Sequence, residues 1–130
     1  MAALYVLVVG GATQAWIDLF YQHSAFNQQD VRGVVLSSAR LSAAPAIACS
    51  FELVVIDIEN TTDALSLCRR LRALYRGALL LLVADIDARL LCEAQAAGVD
   101  ECIARSADSR QLRAALLCWC DRIRQANSLE

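Results

Sequence analysis

A chain of 130 residues and 14.2 kDa has room for one domain and buries enough surface on folding to need no disulfide or metal staple. Its 58% apolar and 20% charged content excludes a disordered tail. A net charge of −2, a pI near 5.3 and positive charge carried by arginine alone exclude a basic field for nucleic acid and any Schiff-base or P-loop lysine.

Leu4 to Val9 is short, β-branched-rich and apolar on both faces, as a buried parallel strand requires. The first eleven residues superficially resemble a signal-peptide core, but the first basic residue is Arg32, and a signal peptide wants a positive start. Gly10 and Gly11 break the strand, and Thr13 is placed to cap a helix reaching about Phe26, with Ala15, Ile17, Leu19, Phe20 and Phe26 among its apolar positions. Val31 to Leu36 reads as a second strand. Pro45 permits a helix only near its first turn, so a short, irregular helix is expected around Ala46.

Leu53 to Ile58 is a third buried strand that carries one carboxylate, Asp57, near its end. Thr61 or Thr62 caps a helix to about Tyr75. Its Leu65, Leu67, Leu71 and Leu74 are expected inside, and Arg69, Arg70, Arg72 and Arg76 in water, with Gly77 as the stop. Ala78 to Val83 is a fourth strand. Asp87 caps a helix from Ala88 to Ala97, closed by Gly98. Glu101 to Ala104 is a fifth strand, and Asp108 with Gln111 forms a capping-box pattern that opens a last helix to about Gln125.

Five apolar strands alternating with five helices require helices on both sheet faces. The expected fold is a doubly wound α/β sheet in the flavodoxin-like order 2-1-3-4-5, with chemistry at the carboxyl ends of the strands. Residues 1–125 form the domain and 126–130 a tail, whose Leu129-Glu130 is readable as a cloning scar. No run approaches the ~20 apolar residues that a bilayer core needs. The six cysteines contain no C-x-x-C pair, and one histidine, His23, leaves no His-rich metal set. Cys118 and Cys120 point apart on a helix. Buried thiols in a reducing cytoplasm are the expectation.

The expected carboxyl edge holds Gly10, Gly11, Asp57, Glu59, Asn60, Val83, Ala84, Asp85 and Arg105. A carboxylate ending an apolar strand must reach solvent or pair with a cation, and Arg105, leaving the fifth strand, is the natural cation. Two readings follow from the residues. Asp57 is a phosphoacceptor or ligand-binding carboxylate, or Asp57 and Arg105 form a structural bridge between two strand ends.

Glu52-Leu53-Val54-Val55-Ile56-Asp57 resembles the D-L-V-L-L-D strand of response-regulator receiver domains of two-component signalling, the CheY-like family, in which the last Asp is phosphorylated. Ala97-Gly98-Val99-Asp100-Glu101-Cys102-Ile103-Ala104-Arg105 resembles the family's A-G-A-D-D-Y-I-x-K segment. The spacing between these segments matches too, and the resemblance runs to about residue 124. It implies the CheY-like version of the fold, with Asp57 at the phosphoacceptor position and Arg105 at the lysine position. It also marks departures. Gly10 and Gly11 stand where an acidic pair would bind Mg²⁺. Val83 replaces the hydroxyl residue of strand four, Cys102 the switch aromatic and Ser106 the following proline. Asn60-Thr61 stands for a Met-Pro.

Mg²⁺ wants an octahedral oxygen shell with one or two carboxylates, and phosphoryl transfer needs the spread charge neutralised. The expectation is therefore a non-enzymatic, degenerate receiver with little or no phosphorylation at Asp57, acting through protein contacts. No cofactor is expected, and Mg²⁺ enters only if Glu59 or Asp85 compensates for the missing pair. The implied partner is a protein, namely a histidine kinase, an output domain or another signalling protein. Homodimerisation through the last helix is implied too, with Trp119, Leu112 and Trp16 as candidate anchors; neither nucleic acid nor membrane is expected as a partner. The alternatives are an ordinary phosphoacceptor with a compensated metal site, and a small nucleotide-binding domain. The latter would use the Gly10-Gly11 turn for a phosphate and Ser37, Ser38 and Arg40 for a ribose phosphate.

Overall fold

The computed structural model describes residues 3–11, 13–22, 26, 28–105 and 108–128. The expected Thr13 cap falls on a side chain outside that set, as do His23, Ser106 and the Leu129-Glu130 tail. Strand β1 is Leu4–Gly10, helix α1 Thr13–Gln22, β2 Val31–Leu36 and α2 Ser38–Ala43, followed by a 3-10 turn over Pro45–Ser50. Then come β3 Leu53–Asp57, α3 Thr61–Arg72, β4 Ala78–Val83, α4 Ala88–Ala96, β5 Glu101–Ala104 and α5 Ser109–Ser128.

The sheet is all parallel, in order β2-β1-β3-β4-β5. That is the flavodoxin-like, CheY-like order. A sheet in the classic dinucleotide-binding order would run 3-2-1-4-5.

Period-two alternation along each strand sends one set of side chains to each face. Val6, Val8, Val55, Leu80, Leu82 and Ile103 pack with α1 and α5, against Trp16, Phe20, Leu116 and Cys120. Leu7, Val9, Val54, Ile56, Leu79, Leu81 and Val83 pack with α2, α3 and α4, against Leu41, Leu65, Cys68, Leu71 and Leu90. Strands covered on both sides read as continuous apolar runs for this reason.

Several local expectations change. On α1 the buried stripe is Trp16, Leu19 and Phe20, whereas Ala15 and Ile17 are exposed; α1's inward face follows the i, i+3, i+4 rule from Trp16. The region around Ala46 divides into α2 and a 3-10 turn with Pro45 at its first position, where a missing N–H costs nothing. Asn60, not a threonine, caps α3, accepting from Asp63 N at 3.0 Å. Leu74 lies past the helix end and is exposed. Asp87 caps α4 through Leu90 N, and Gly98 takes φ +87° beyond it. The α5 capping box forms reciprocally: Gln111 N donates to Asp108 Oδ1 at 2.8 Å, and Asp108 N to Gln111 Oε1 at 3.2 Å.

Of the cysteines, only Cys68 and Cys120 are buried; Cys49, Cys92 and Cys118 are exposed. An apolar neighbourhood in sequence did not bury the last two, because a helix turns its outer face to water wherever nothing packs on it. Among the described residues no helix is long and apolar enough to cross a membrane.

Candidate functional site

Parallel register sets the geometry of the carboxyl edge. Gly10 is the register partner of Asp57, so the turn after β1 crosses directly beside the carboxylate. Asp57 follows Ile56 and therefore points to the α1/α5 face. The same alternation puts Arg105, two residues beyond Ile103, on that face. The β4–β5 ladder continues to Arg105, whose N–H donates to Val83 O at 2.6 Å.

Asp57 is the one buried polar or charged residue among those described, 7% exposed. Both of its carboxylate oxygens are engaged. Trp16 Nε1–H donates to Oδ2 at 2.8 Å, and the Arg105 guanidinium donates to Oδ1. Arg105 also donates to Ile58 O at 3.1 Å, so it ties the end of β3 to the end of β5. The charge that burial would penalise is thus balanced by a cation and a neutral donor.

Trp16 was expected to be a partner-facing anchor. It is instead 4% exposed and is the second ligand of Asp57. A buried indole needs an acceptor for its N–H, and the only buried carboxylate described lies on the same face. That combination was the available signal. Trp16 stacks on Phe20, with ring centroids 6.1 Å apart, which fixes the indole.

Gly10 and Gly11 have φ of +84° and +76°, values that side-chain-bearing residues avoid. A Cβ on Gly10 would lie 2.6 Å from Asp57 O, and one on Gly11 would overlap the Asp57 carboxylate and come within 3.0 Å of Trp16 Nε1. A side chain at either position would therefore collide with what is already there. Beside Gly10 that is the Asp57 backbone, and beside Gly11 the Asp57 carboxylate and the indole.

Val83 and Cys102 do not join this cluster. Val83 is buried in the α2–α4 core, and Cys102 packs against that same core from β5. Burial holds the Cys102 thiol in its neutral form by raising its pKa, with Glu101 adding to the effect. Glu59 and Asp85 are exposed. The donor set does not fit a divalent cation, since Asp57's oxygens are committed and its two neighbours carry no side chains. Among the described residues no group of three metal-ligating side chains converges. A concavity of about 230 Å³ remains beside the cluster, lined by Ala15, Trp16, Leu19, Asp57, Leu82, Arg105, Ser109 and Leu112.

No protein-family model matches the chain, and no curated protein matches it. Solved structures do. A two-component response regulator from Clostridium difficile aligns with a TM-score of 0.72 at 12% identity, over 92% of this chain and 98% of that one. A response regulator from Thermotoga maritima gives 0.72 at 17%, over 91% and 98%. A Burkholderia thailandensis protein named for pilus assembly, CpaE, gives 0.69 at 20%, again over 91% and 98%. At such identities what is shared is the fold, the five-stranded CheY-like sheet with its covering helices.

Proposed function

We propose that this chain is a receiver-like domain of a two-component signalling protein, one that has lost efficient phosphorylation at Asp57 and acts through protein contacts. The observation that carries the reading is the double engagement of Asp57: an indole N–H on one oxygen and a guanidinium on the other. An in-line phosphoryl acceptor needs a free oxygen, and the transferred group needs its charge neutralised by a metal and donors held ready. Here the neighbouring positions are Gly10 and Gly11, and the cation present, Arg105, already balances Asp57. Val83, at the hydroxyl position, brings no donor, and Cys102, at the aromatic position, brings no rotating ring. Asp57 persists, on this reading, because Arg105 requires it.

The partner is a protein: a histidine kinase, an output domain or another signalling protein. Fold alone names no partner, and proteins of this shape serve both two-component regulation and pilus assembly. Self-association through α5 belongs to the same reading. It would rest on half-buried Trp119, which lies under Arg122, 4.4 Å from ring centroid to guanidinium carbon. The role is non-enzymatic, with no cofactor.

The test is incubation with acetyl phosphate in Mg²⁺, followed by intact-mass analysis. The expected result is an unchanged mass. A stoichiometric gain of one phosphoryl group that is lost in Asp57→Asn would return the chain to the ordinary phosphoacceptors.

A further inference from the structure

The carboxyl edge of the sheet has a second concavity, separate from the Asp57 cluster, between α2 and α3. It encloses about 280 Å³, room for roughly nine water molecules. Helical spacing builds its walls. Ser38 and Ser42 are four residues apart on α2, and Ser66 and Arg70 four apart on α3, so each pair shares one helix face. All four line the groove, with Ile58, just past the end of β3, and Asp63. Open α/β sheets take their ligands outside the carboxyl ends of the strands, where the strand order reverses. Here β1 lies between β2 and β3, so the groove flanks that point.

The side chains present are those that recognise a phosphoryl group. Three hydroxyls donate without adding charge. Arg70 spends one N–H on Ser42 O at 3.0 Å, which orients the guanidinium across the groove and leaves the rest of its planar fork uncommitted. Among the described residues Arg70 makes no ion pair. Asp63, three residues before Ser66, is the one acid in the lining and repels a bare anion. It would accept a hydrogen bond from a hydroxyl on the same ligand.

We propose that this groove binds a phosphate monoester of a small hydroxylated molecule, with Ser38, Ser42, Ser66 and Arg70 on the phosphoryl oxygens and Asp63 on a ligand hydroxyl. The site does not rest on the reading of Asp57, since none of the side chains proposed to touch the ligand belongs to that cluster; the two meet only at Ile58, whose carbonyl accepts from Arg105.

The test uses the ¹⁵N-labelled chain, titrated with glycerol 3-phosphate at constant ionic strength while amide shifts are recorded. Saturable, millimolar binding is expected, with shifts confined to residues 38–42, 58 and 63–70. Arg70→Ala, which removes the charge-assisted donors, weakens it about tenfold or more, and Ser66→Ala weakens it by a smaller factor. Asp57→Asn leaves it unchanged. Inorganic phosphate moves the same amides with lower affinity, and Asp63→Ala narrows that difference by removing the hydroxyl acceptor. Inorganic phosphate binding as tightly as the ester would overturn the ester assignment in favour of the free ion. Non-saturating shifts at Arg110 and Arg122 as well, or an Arg70→Ala variant that binds like the parent, would overturn the site itself.

Discussion

Asp57 shows how one buried carboxylate can have both of its oxygens engaged by neighbours from other parts of the chain. The Gly10-Gly11 turn lets the backbone cross close beside it, Trp16 donates to one oxygen, and Arg105 closes the other. Gly11→Ala is therefore expected to cost at least ~2 kcal/mol in urea unfolding. About half of this comes from the positive φ and the rest from the collision with the carboxylate. Part of the loss should return in a Gly11→Ala/Asp57→Ala double variant; equal losses with and without Asp57 would mean that the backbone alone demands glycine. The ion pair makes a second test. Arg105 is about one-third exposed and Asp57 8%, so the full cost of breaking a buried pair is discounted for screening. Arg105→Ala should cost about 2 kcal/mol in the parent and clearly less in an Asp57→Asn background, measured as a double-mutant cycle. The Asp57–Arg105 pairing was legible because a carboxylate that ends an apolar strand needs a cation, and Arg105 leaves the fifth strand at the same edge of the sheet. Trp16 was not, since the apolar positions read on α1 mixed the exposed Ala15 and Ile17 with the buried Leu19 and Phe20, so no single inward face through Trp16 stood out.

At the level of elements, the strands and two of the helix caps could be read from their own residues, whereas the α3 cap, helix ends and exposed faces could not. The five strands follow from apolar runs set between glycines and polar turns. Asp87 and the Asp108–Gln111 box act as their spacing implied. Arg72 is the counterexample. It sits among arginines that face water, yet its five N–H groups are spent on Gly98 O, Tyr75 O, Gly77 O and Asp100 Oδ2. Those acceptors come from the α3–β4 and α4–β5 connections, distant or differently placed in sequence, so no local pattern could announce the contact. Arg72 latches the two connections at the amino end of the sheet, and Asp100 also accepts from Leu79 N at 2.8 Å. Arg72→Ala should lower stability by ~2–3 kcal/mol, several times the cost of an ordinary surface substitution. Arg69→Ala, on the same helix and exposed, serves as the control and should cost under ~0.5 kcal/mol.

For the molecule as a whole, two cores on opposite faces of one sheet determine which groups titrate. Burial pushes the Cys68 thiol up to about 12, with Cys102 adding to the rise and Arg72 and Arg69 opposing it. Burial likewise pushes Cys120 up to about 11 and raises Tyr75. Raised folded values mean that the unfolded chain loses these protons first. Their contribution to stability is then complete below the ordinary thiol value of 9.0 and is lost as the pH rises above it. The urea midpoint should accordingly begin to fall near pH 9.0 and keep falling toward about pH 11. A Cys68→Ala/Cys120→Ala variant, less stable at neutral pH, should show a flatter decline. At neutral pH, Cys49, Cys92 and Cys118 should react quickly with a thiol reagent, and Cys68 and Cys120 only on unfolding.

The closed state of Asp57 is the claim on which the functional account depends, and its own donor reports on it. The chain has two tryptophans, so its spectrum holds two indole N–H signals, and a Trp119→Phe variant assigns the one from Trp16. The account predicts that the Trp16 indole N–H exchanges slowly with solvent and keeps its shift when Mg²⁺ and acetyl phosphate are added. A rapidly exchanging Trp16 signal, or one that moves saturably with Mg²⁺, would mean that the carboxylate is open to a metal and would contradict it.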